Sequence, residues 1–296
     1  METSDITGAV HDSTTHFDAP PANAATADAT HTAAVRADAA HTAVIRTVIS
    51  GYNGHMGQVL AALIDDDPDM QLVAGIDINT KSNGDCPVYS SIGEFAGKAD
   101  VIIDFSNPAS LDSLLEYSLE SNTPLVLCTT GYSSGQLESI SQAAAQIPVF
   151  RSGNMSLGIN LLADLIKRAC AVLGESFDVE IVESHHRRKV DAPSGTAIML
   201  ADAAASALPY EPEYIYERQS LRSQREAHHI GISTIRGGTI VGEHDVIFAG
   251  LDEVITLKHS AGSRDVFAVG ALRAARFMAS VTKPGLFDMG NLLSTI

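Results

Sequence analysis

Val48-Ile49-Ser50-Gly51-Tyr52-Asn53-Gly54-His55-Met56-Gly57 is the stretch on which the fold reading turns. An apolar strand runs into three glycines spaced GxxGxxG, and a helical pattern, Met56 to Ile64, opens behind them. Gly51 permits a tight turn out of the strand. Gly54 lets the backbone approach a bound group, and Gly57 lets the helix pack close to the sheet. The free N–H groups at the helix start then suit a pyrophosphate. The spacing departs from the commoner GxGxxG, but the strand before and the helix after are the context the motif requires. Asp77 lies twenty residues past Gly57, at the end of the next apolar run, where an acid grips an adenosine ribose.

Short apolar runs alternate with helical patterns on either side of this turn. Leu72 to Ile76, Val101 to Asp104, Leu125 to Leu127 and Pro148 to Phe150 read as strands. Leu111 to Leu119 and Gly135 to Ala145 read as helices. This rhythm predicts an α/β, Rossmann-like parallel sheet covered on both faces. Asp104-Phe105-Ser106-Asn107-Pro108, Cys128-Thr129-Thr130-Gly131-Tyr132 and Asn154 each follow a strand, so they belong at the ligand edge of the sheet. The hydroxyls of Thr129 and Thr130 suit a cofactor amide or ribose. After residue 157 the rhythm changes. A helix is expected from Leu161 to Leu173, a strand over Val179 to Glu183 and a helix from Ala197 to Ala207. Strands follow at Ile230 to Ile235, Thr239 to Val241, Asp245 to Ala249 and Glu253 to His259. These describe a second, α+β domain with an antiparallel or mixed sheet. A closing helix, Ala268 to Ser280, is placed to return to the first domain. The expected organisation is an extension over 1–46, a dinucleotide-binding domain over 47–156, a substrate-binding and oligomerisation domain over 157–265, and a returning segment over 266–296.

The extension is rich in Ala, Asp, Thr and His, and residues 27–36 are repeated at 37–46 with seven of ten positions identical. It lacks the basic start and apolar centre of a secretory signal and reads as a weakly ordered tail. His11, His16, His31 and His41 within it are read as tail residues and not as a metal tract. The net charge of -17 disfavours nucleic acid and anionic membranes as partners. No run of eighteen apolar residues is present to span a bilayer. Cys86, Cys128 and Cys170 are odd in number and widely spaced, which suits reduced thiols in the cytoplasm, with no metal ligand set expected.

The densest chemistry is Glu183-Ser184-His185-His186-Arg187-Arg188-Lys189-Val190-Asp191-Ala192-Pro193-Ser194-Gly195-Thr196. Ser194 suits the cap of the following helix, which leaves the N–H groups of Gly195 and Thr196 to hold a carboxylate or phosphate. An imidazole exchanges protons near neutral pH, and a neighbouring lysine supplies positive charge for a developing anion.

Together these residues resemble the 4-hydroxy-tetrahydrodipicolinate reductase (dihydrodipicolinate reductase) family of the diaminopimelate route to lysine, over residues 47–296. The marks are Gly51 to Gly57, Cys128-Thr129-Thr130-Gly131, Asn154 to Asn160, and above all Glu183 to Thr196. Arg236-Gly237-Gly238, Gly242-Glu243-His244, His259 to Arg264 and Gly285 to Met289 add to them. The resemblance implies NADH- or NADPH-dependent reduction of a cyclic imine dicarboxylate by a homotetramer. It implies His185 as acid/base, Lys189 as its catalytic partner, and His186, Gly195 and Thr196 at substrate carboxylates. It implies Gly51, Tyr52, Asn53, Gly54, His55, Met56, Asp77, Cys128, Thr129, Thr130, Ser152, Gly153, Asn154 and Met155 as cofactor contacts. Two positions depart from the family. Cys128 stands where Gly is usual, which would turn a side chain toward the cofactor loop. Met155 stands where Phe is usual, and a thioether fills the same space.

Asp77 leans the cofactor expectation toward NADH, because a 2′-phosphate would meet a like charge, and the nearest cation along the chain is Lys81. Two other readings stand beside this one. A two-domain dehydrogenase of amino-acid semialdehydes would need a thiol or a lysine/aspartate pair in place of the histidine-rich loop. A nucleotide-sensing protein without chemistry would leave that loop without a purpose.

Overall fold

The computed structural model describes residues 43–82 and 84–296. The four tail histidines and most of the decapeptide duplication lie outside the described residues. Strand β1 (Ile45–Ser50) begins two residues ahead of Thr47. Ile45 is buried, and Arg46 donates to the Asp100 carboxylate through its backbone N–H and its guanidinium, at 2.6 to 2.9 Å. The last residues of the expected extension are therefore sheet.

There follow α1 (His55–Asp65), β2 (Met70–Ile76), β3 (Val88–Tyr89), β4 (Val101–Asp104), α2 (Leu111–Ser121), β5 (Leu125–Leu127), α3 (Ser134–Ala144) and β6 (Pro148–Arg151). Next come α4 (Leu157–Leu173), β7 (Asp178–His185), α5 (Gly195–Ala205), β8 (Glu213–Ile215), β9 (His229–Arg236), β10 (Gly242–Ala249) and β11 (Val254–Ala261). The chain closes with α6 (Asp265–Ser280), β12 (Gly285–Phe287) and α7 (Met289–Leu293).

The first sheet is parallel throughout, in the order β12-β6-β5-β4-β1-β2-β3. Its strands alternate between two buried faces. Ile49, Ile103, Val126 and Phe150 share a core with α1 and α6, while Val48, Ile102, Leu125 and Val149 share one with α2 and α3. Both faces are dry, which is why these strands read as continuous apolar runs. The strand order reverses at β1, and the loop after β1 meets the loop after β4 there. That crevice is where open α/β sheets take their ligands.

The second sheet has the order β11-β10-β7-β9-β8. The β11–β10 and β10–β7 pairs are antiparallel, and the β7–β9 and β9–β8 pairs are parallel, so it is mixed. Helices α4 and α5 cover one of its faces, packing on Val179, Ile181, Ile230, Ile232, Val246 and Phe248. The strand expected at Thr239 to Val241 is corrected: residues 238–239 form a turn, and pairing resumes at Gly242. Two glycines in a row relieve the chain there of any pleat to maintain.

Helix α6 does return to the first sheet. Ala268, Ala271, Leu272, Ala275 and Met278 lie in the core of Ile49 and Phe150. The chain then adds β12 beside β6, a seventh strand that the sequence pattern does not announce because three residues are too few to alternate. Among the described residues no helix is long and apolar enough to cross a membrane.

Phe150 joins the sheet to this returning segment. It is fully buried, its ring meets Phe277 edge-on at 6.5 Å, and Phe277 meets Phe287 at 5.8 Å. Phe150→Ala is expected to lower unfolding stability in urea by about 3–5 kcal/mol, the usual loss for emptying such a site. A loss below about 1 kcal/mol would mean that the segment does not dock as described.

Candidate active site

The cofactor-type turn is built by backbone contacts. Gly51 has φ +81°, and its N–H and that of Tyr52 both donate to the carbonyl of Ile76 at 2.9 and 3.2 Å. A Cβ on Gly51 would strike the carbonyl of Phe105, and one on Gly57 would strike the carbonyls of Gly51 and Tyr52. The glycines thus bring α1 close enough to aim its first turn out of the crevice. Gly54 caps α1 without any side-chain hydrogen bond, so the amides of His55 and Met56 keep their donor capacity. Tyr52 presents only backbone here, because its ring is buried in the core against Gly75. Asp77 accepts from the N–H of Asn53 and of Asn79, both at 2.9 Å, one on each carboxylate oxygen. The Asn53 amide holds the carbonyls of Asn79 and Lys81, which fixes the loop after β2 beside the turn.

Asp104, buried at the end of β4, organises the neighbouring loops. It accepts from Ser106 Oγ at 2.5 Å, Thr129 Oγ1 at 2.7 Å and Tyr132 Oη at 3.3 Å. The Thr129 proton is therefore spent on Asp104, and only its lone pairs remain for a ligand, while Thr130 is exposed. The expectation that Cys128 turns a side chain toward the cofactor loop is corrected. Its thiol lies in the core with Val126, Phe150 and Met155, and burial pushes its pKa well up. The extended strand end sends alternate residues to opposite faces, and position 128 falls on the α6 side. Met155 sits in the same core.

Asn154 joins the two domains. Its Nδ2 donates to Thr196 Oγ1 at 3.0 Å, while its Oδ1 accepts from the N–H of Ser156 at 2.9 Å. Ser152 Oγ donates to the Asn154 carbonyl at 2.8 Å. The end of β6 is thereby tied to the first turn of α5.

Glu183 is the centre of the second domain's chemistry. Strand β7 alternates, so Val179, Ile181, Glu183 and His185 share the buried face, and a carboxylate takes a core position. Five donors meet it. Oε1 accepts from Arg236 Nη2 at 2.7 Å, the Ser194 N–H at 3.0 Å and Thr234 Oγ1 at 3.1 Å. Oε2 accepts from Arg236 Nη1 at 2.7 Å and His185 Nδ1 at 2.6 Å. Burial alone would raise its pKa. The hydrogen bonds from Arg236, His185 and Ser194 outweigh burial and hold it at about 2. With Nδ1 engaged as donor, His185 turns Nε2 away from Glu183, and among the described residues Nε2 has no hydrogen-bond partner.

Around His185 lies a cleft of about 1040 Å3, of the size that takes small-molecule ligands. It brings together the expected residues His185, His186, Lys189, Gly195, Thr196, Ser152, Gly153 and Asn154. The turn Gly51 to Met56, Asp77 and Thr129–Thr130 do not line it; they stand at the crevice of the first sheet. Lys189 pairs with Asp191 at 2.9 Å, and Arg187 and Arg188 are exposed outside the cleft. Arg264 also lines the cleft, and its Nη2 approaches His186 Nε2 at 3.4 Å. Burial first, then the charges of Arg264 and Arg188, lower the His186 pKa, so its ring is neutral near pH 7. Ser194 accepts the N–H of Ala197 as the cap of α5, as its sequence position suggests, and the amides of Gly195 and Thr196 border the cleft. His244 touches Ser194 Oγ at 3.0 Å and stacks edge-on against His185 at 5.2 Å; burial brings its pKa down to about 4.

Glu183, Arg236, Arg264 and Asp104 were visible in the sequence only as members of motifs, without roles. The period-2 pattern did carry a signal for the first of them: an acid on the apolar face of β7 demands a buried cation.

A seven-stranded dinucleotide-type sheet, joined to a mixed-sheet domain with a histidine- and cation-lined cleft, defines a two-domain NAD(P)-dependent oxidoreductase. Residues 45–155 match the family model "Dihydrodipicolinate reductase, N-terminus", and residues 158–293 match "Dihydrodipicolinate reductase, C-terminus". The chain belongs to the dihydrodipicolinate reductase family. It is 51% identical over 248 residues to the 4-hydroxy-tetrahydrodipicolinate reductase of Caldanaerobacter subterraneus subsp. tengcongensis, covering 84% of this chain and 98% of that one. It is 47% identical over 251 residues to the Clostridium tetani enzyme of the same name, covering 84% and 97%. Among solved structures it resembles the dipicolinate-bound dihydrodipicolinate reductase from Paenisporosarcina sp. TG-14, with a TM-score of 0.71 and 25% identity over 83% of this chain and 97% of that one.

Glu183 also sets a pH dependence. Its folded pKa, about 2, lies below the ordinary 4.5, so its contribution is present above pH 4.5 and is lost as pH falls toward 2. The shift corresponds to about 3 kcal/mol. Glu183→Gln is expected to be less stable than wild type at pH 7 by about that amount. Its urea midpoint should also fall less steeply between pH 5 and 3, where the Glu183 carboxylate takes up a proton in the unfolded wild-type chain but stays ionised in the folded one. Parallel pH profiles for the two proteins would remove Glu183 from the account.

Proposed function

We propose that this chain reduces 4-hydroxy-tetrahydrodipicolinate, through the cyclic unsaturated imine left by loss of water, to tetrahydrodipicolinate with NAD(P)H, in the diaminopimelate route to lysine. The observation that carries the reading is the free Nε2 of His185, oriented by Glu183 in a cleft that also offers Lys189, Arg264 and the amides at the start of α5. A dicarboxylate needs two anion grips. The amides of Gly195 and Thr196 form one, and Lys189 with His186 and Arg264 forms the other.

The glycine turn, the uncapped start of α1 and the Asp77 carboxylate fit a dinucleotide: a cradle any Cβ would fill, free N–H groups for pyrophosphate, and an acceptor for ribose hydroxyls. When bound there, the nicotinamide would supply hydride. Thr129 and Asn154, on the loops after β5 and β6, would hold the nicotinamide end of the cofactor. Ser152 and Gly153 offer backbone toward the substrate cleft. Addition of hydride at C4 of the imine would make the adjacent carbon electron-rich, and His185 Nε2, having first taken up a proton from solvent, delivers that proton there while Nδ1–H stays on Glu183. Lys189 stabilises the anionic carboxylate during that transfer. The thiol that a semialdehyde dehydrogenase needs has no candidate here, because none of the three cysteines lines the cleft among the described residues. The half-exposed face of the mixed sheet, opposite α4 and α5, supports a homotetramer assembled through that sheet.

His185→Ala is expected to lower kcat by roughly 10²–10⁴ with little change in cofactor affinity, and Lys189→Ala to lower kcat as well. Cofactor oxidation with the cyclic imine as substrate reads both. Turnover of an amino-acid semialdehyde with none of the imine would contradict the proposal.

NADH is the preferred cofactor by a small factor, with NADPH usable, because the Asp77 carboxylate repels a 2′-phosphate. Its two oxygens already hold backbone amides, which softens that repulsion, and Lys81 is on the adjacent loop. Comparing kcat/KM for the two cofactors in wild type and Lys81→Ala tests this. A several-fold NADPH preference that Lys81→Ala abolishes would reverse the assignment.

A further inference from the structure

Outside the cleft, at the edge of the mixed sheet, three side chains with metal-ligand chemistry converge. Glu213 opens β8 and His229 opens β9, and the two are register partners in the parallel pair, so their side chains lie on the same face. His228, one residue earlier, has left the pleat and folds its ring against that of His229, with centroids 4.9 Å apart and planes 72° apart. The result is that Glu213 Oε2 lies 3.7 Å from His228 Nε2 and 3.7 Å from His229 Nε2. The candidate ligand atoms of all three lie within 4.8 Å of one another. The backbone has already closed this corner, since the Glu213 N–H donates to the His228 carbonyl at 3.0 Å.

We propose that Glu213, His228 and His229 bind a divalent cation of the zinc type. Two imidazoles and one carboxylate are a ligand set that such an ion prefers. In a tetrahedral site at the usual bond lengths, neighbouring ligand atoms stand about 3.3 Å apart. The two 3.7 Å edges therefore need to close by a few tenths of an ångström, and the third, between the two imidazoles and within 4.8 Å, by up to about 1.5 Å. The surroundings supply the outer partner that metal-bound histidines use. The Nδ1 of His228 lies 3.7 Å from Glu226 Oε2, outside hydrogen-bond range; closing that gap by a few tenths of an ångström would give the carboxylate–histidine–metal arrangement that fixes an imidazole with its Nε2 lone pair toward the ion. One contact opposes binding. The N–H of Glu226 reaches His229 Nδ1 at 3.4 Å, and coordination through Nε2 places a proton on that Nδ1, so this long hydrogen bond opens when the ion binds. His229 is buried, while His228 and Glu213 are 44% and 63% exposed, so the ion enters from solvent and keeps a water in its remaining position. The site sits outside the catalytic cleft. Its role is structural: it staples the excursion between β8 and β9 to the sheet edge.

The test uses the full-length chain, stripped with a chelator and titrated with Zn2+ against a competing chromophoric chelator. Wild type is expected to hold a zinc at least ten-fold more tightly than Glu213→Gln or His228→Ala, both changes at accessible side chains. Zinc at a hundred times its Kd is expected to raise the wild-type Tm by about 5 °C or more, and to raise that of the doubly substituted protein Glu213→Gln/His228→Ala by much less. Cofactor oxidation, read in parallel, is expected to be the same in all three variants and wild type, which shows that they are folded. Equal zinc affinity in wild type and the double variant would overturn the proposal. So would a loss of the tight site in His41→Ala or His186→Ala instead, since that would assign the ion to the N-terminal segment or to the catalytic cleft.

Discussion

One buried carboxylate constrains the catalytic half of this molecule. Glu183 occupies a core position on β7, where an unpaired charge would be prohibitively costly, and five donors from three different elements meet it. Each donor is placed by that demand. Arg236 must run along the end of β9, Ser194 must bring the start of α5 to the sheet, and His185 must present Nδ1. The consequences reach the chemistry directly. The bond by which His185 helps solvate the carboxylate that Arg236 neutralises leaves its Nε2 aimed at the cleft. The same approach that gives Ser194 to Glu183 opens the amides of Gly195 and Thr196 beside it.

The first domain meets this assembly through polar contacts at one point and apolar packing at another. Asn154 hands the end of β6 to Thr196 at the start of α5, so the strand that borders the crevice of the first sheet also borders the first turn of that helix. Helix α6 leaves the mixed sheet beside Arg264 and returns to bury its alanine-rich face on β4, β5 and β6. The crevice of the first sheet and the cleft around His185 belong to different domains, and these two connections set the distance between them.

Much of this was legible in the sequence, for identifiable reasons. The parallel sheet declares itself because both of its faces are dry and each strand is an apolar run. The glycine turn declares itself because backbone contacts at Gly51 and Gly57 leave no room for a Cβ. Short elements did not: β3, β8 and β12 have too few residues to show a period. Side-chain direction was legible only where a strand alternates. Cys128, read as facing the cofactor, is in the core, because its orientation depends on where the strand of Leu125 to Leu127 ends and not on its neighbours in the motif. The roles of Arg236, Arg264 and Asp104 rest on contacts spanning 25 to 78 residues of chain, which no local pattern encodes. The convergence of Glu213 with His228 and His229 is of the same kind: it follows from a parallel strand register, and the linear sequence offers only an isolated acid and a histidine pair.

The central claim is that Glu183 fixes the His185 ring so that Nε2 faces the cleft. Nitrogen-15 NMR of the histidine-labelled protein, at a pH where the His185 ring is neutral, reads its tautomer directly. The account predicts a protonated, pyrrole-type Nδ1 and a pyridine-type Nε2. A resting tautomer with the proton on Nε2 and a bare Nδ1 toward Glu183 would contradict it.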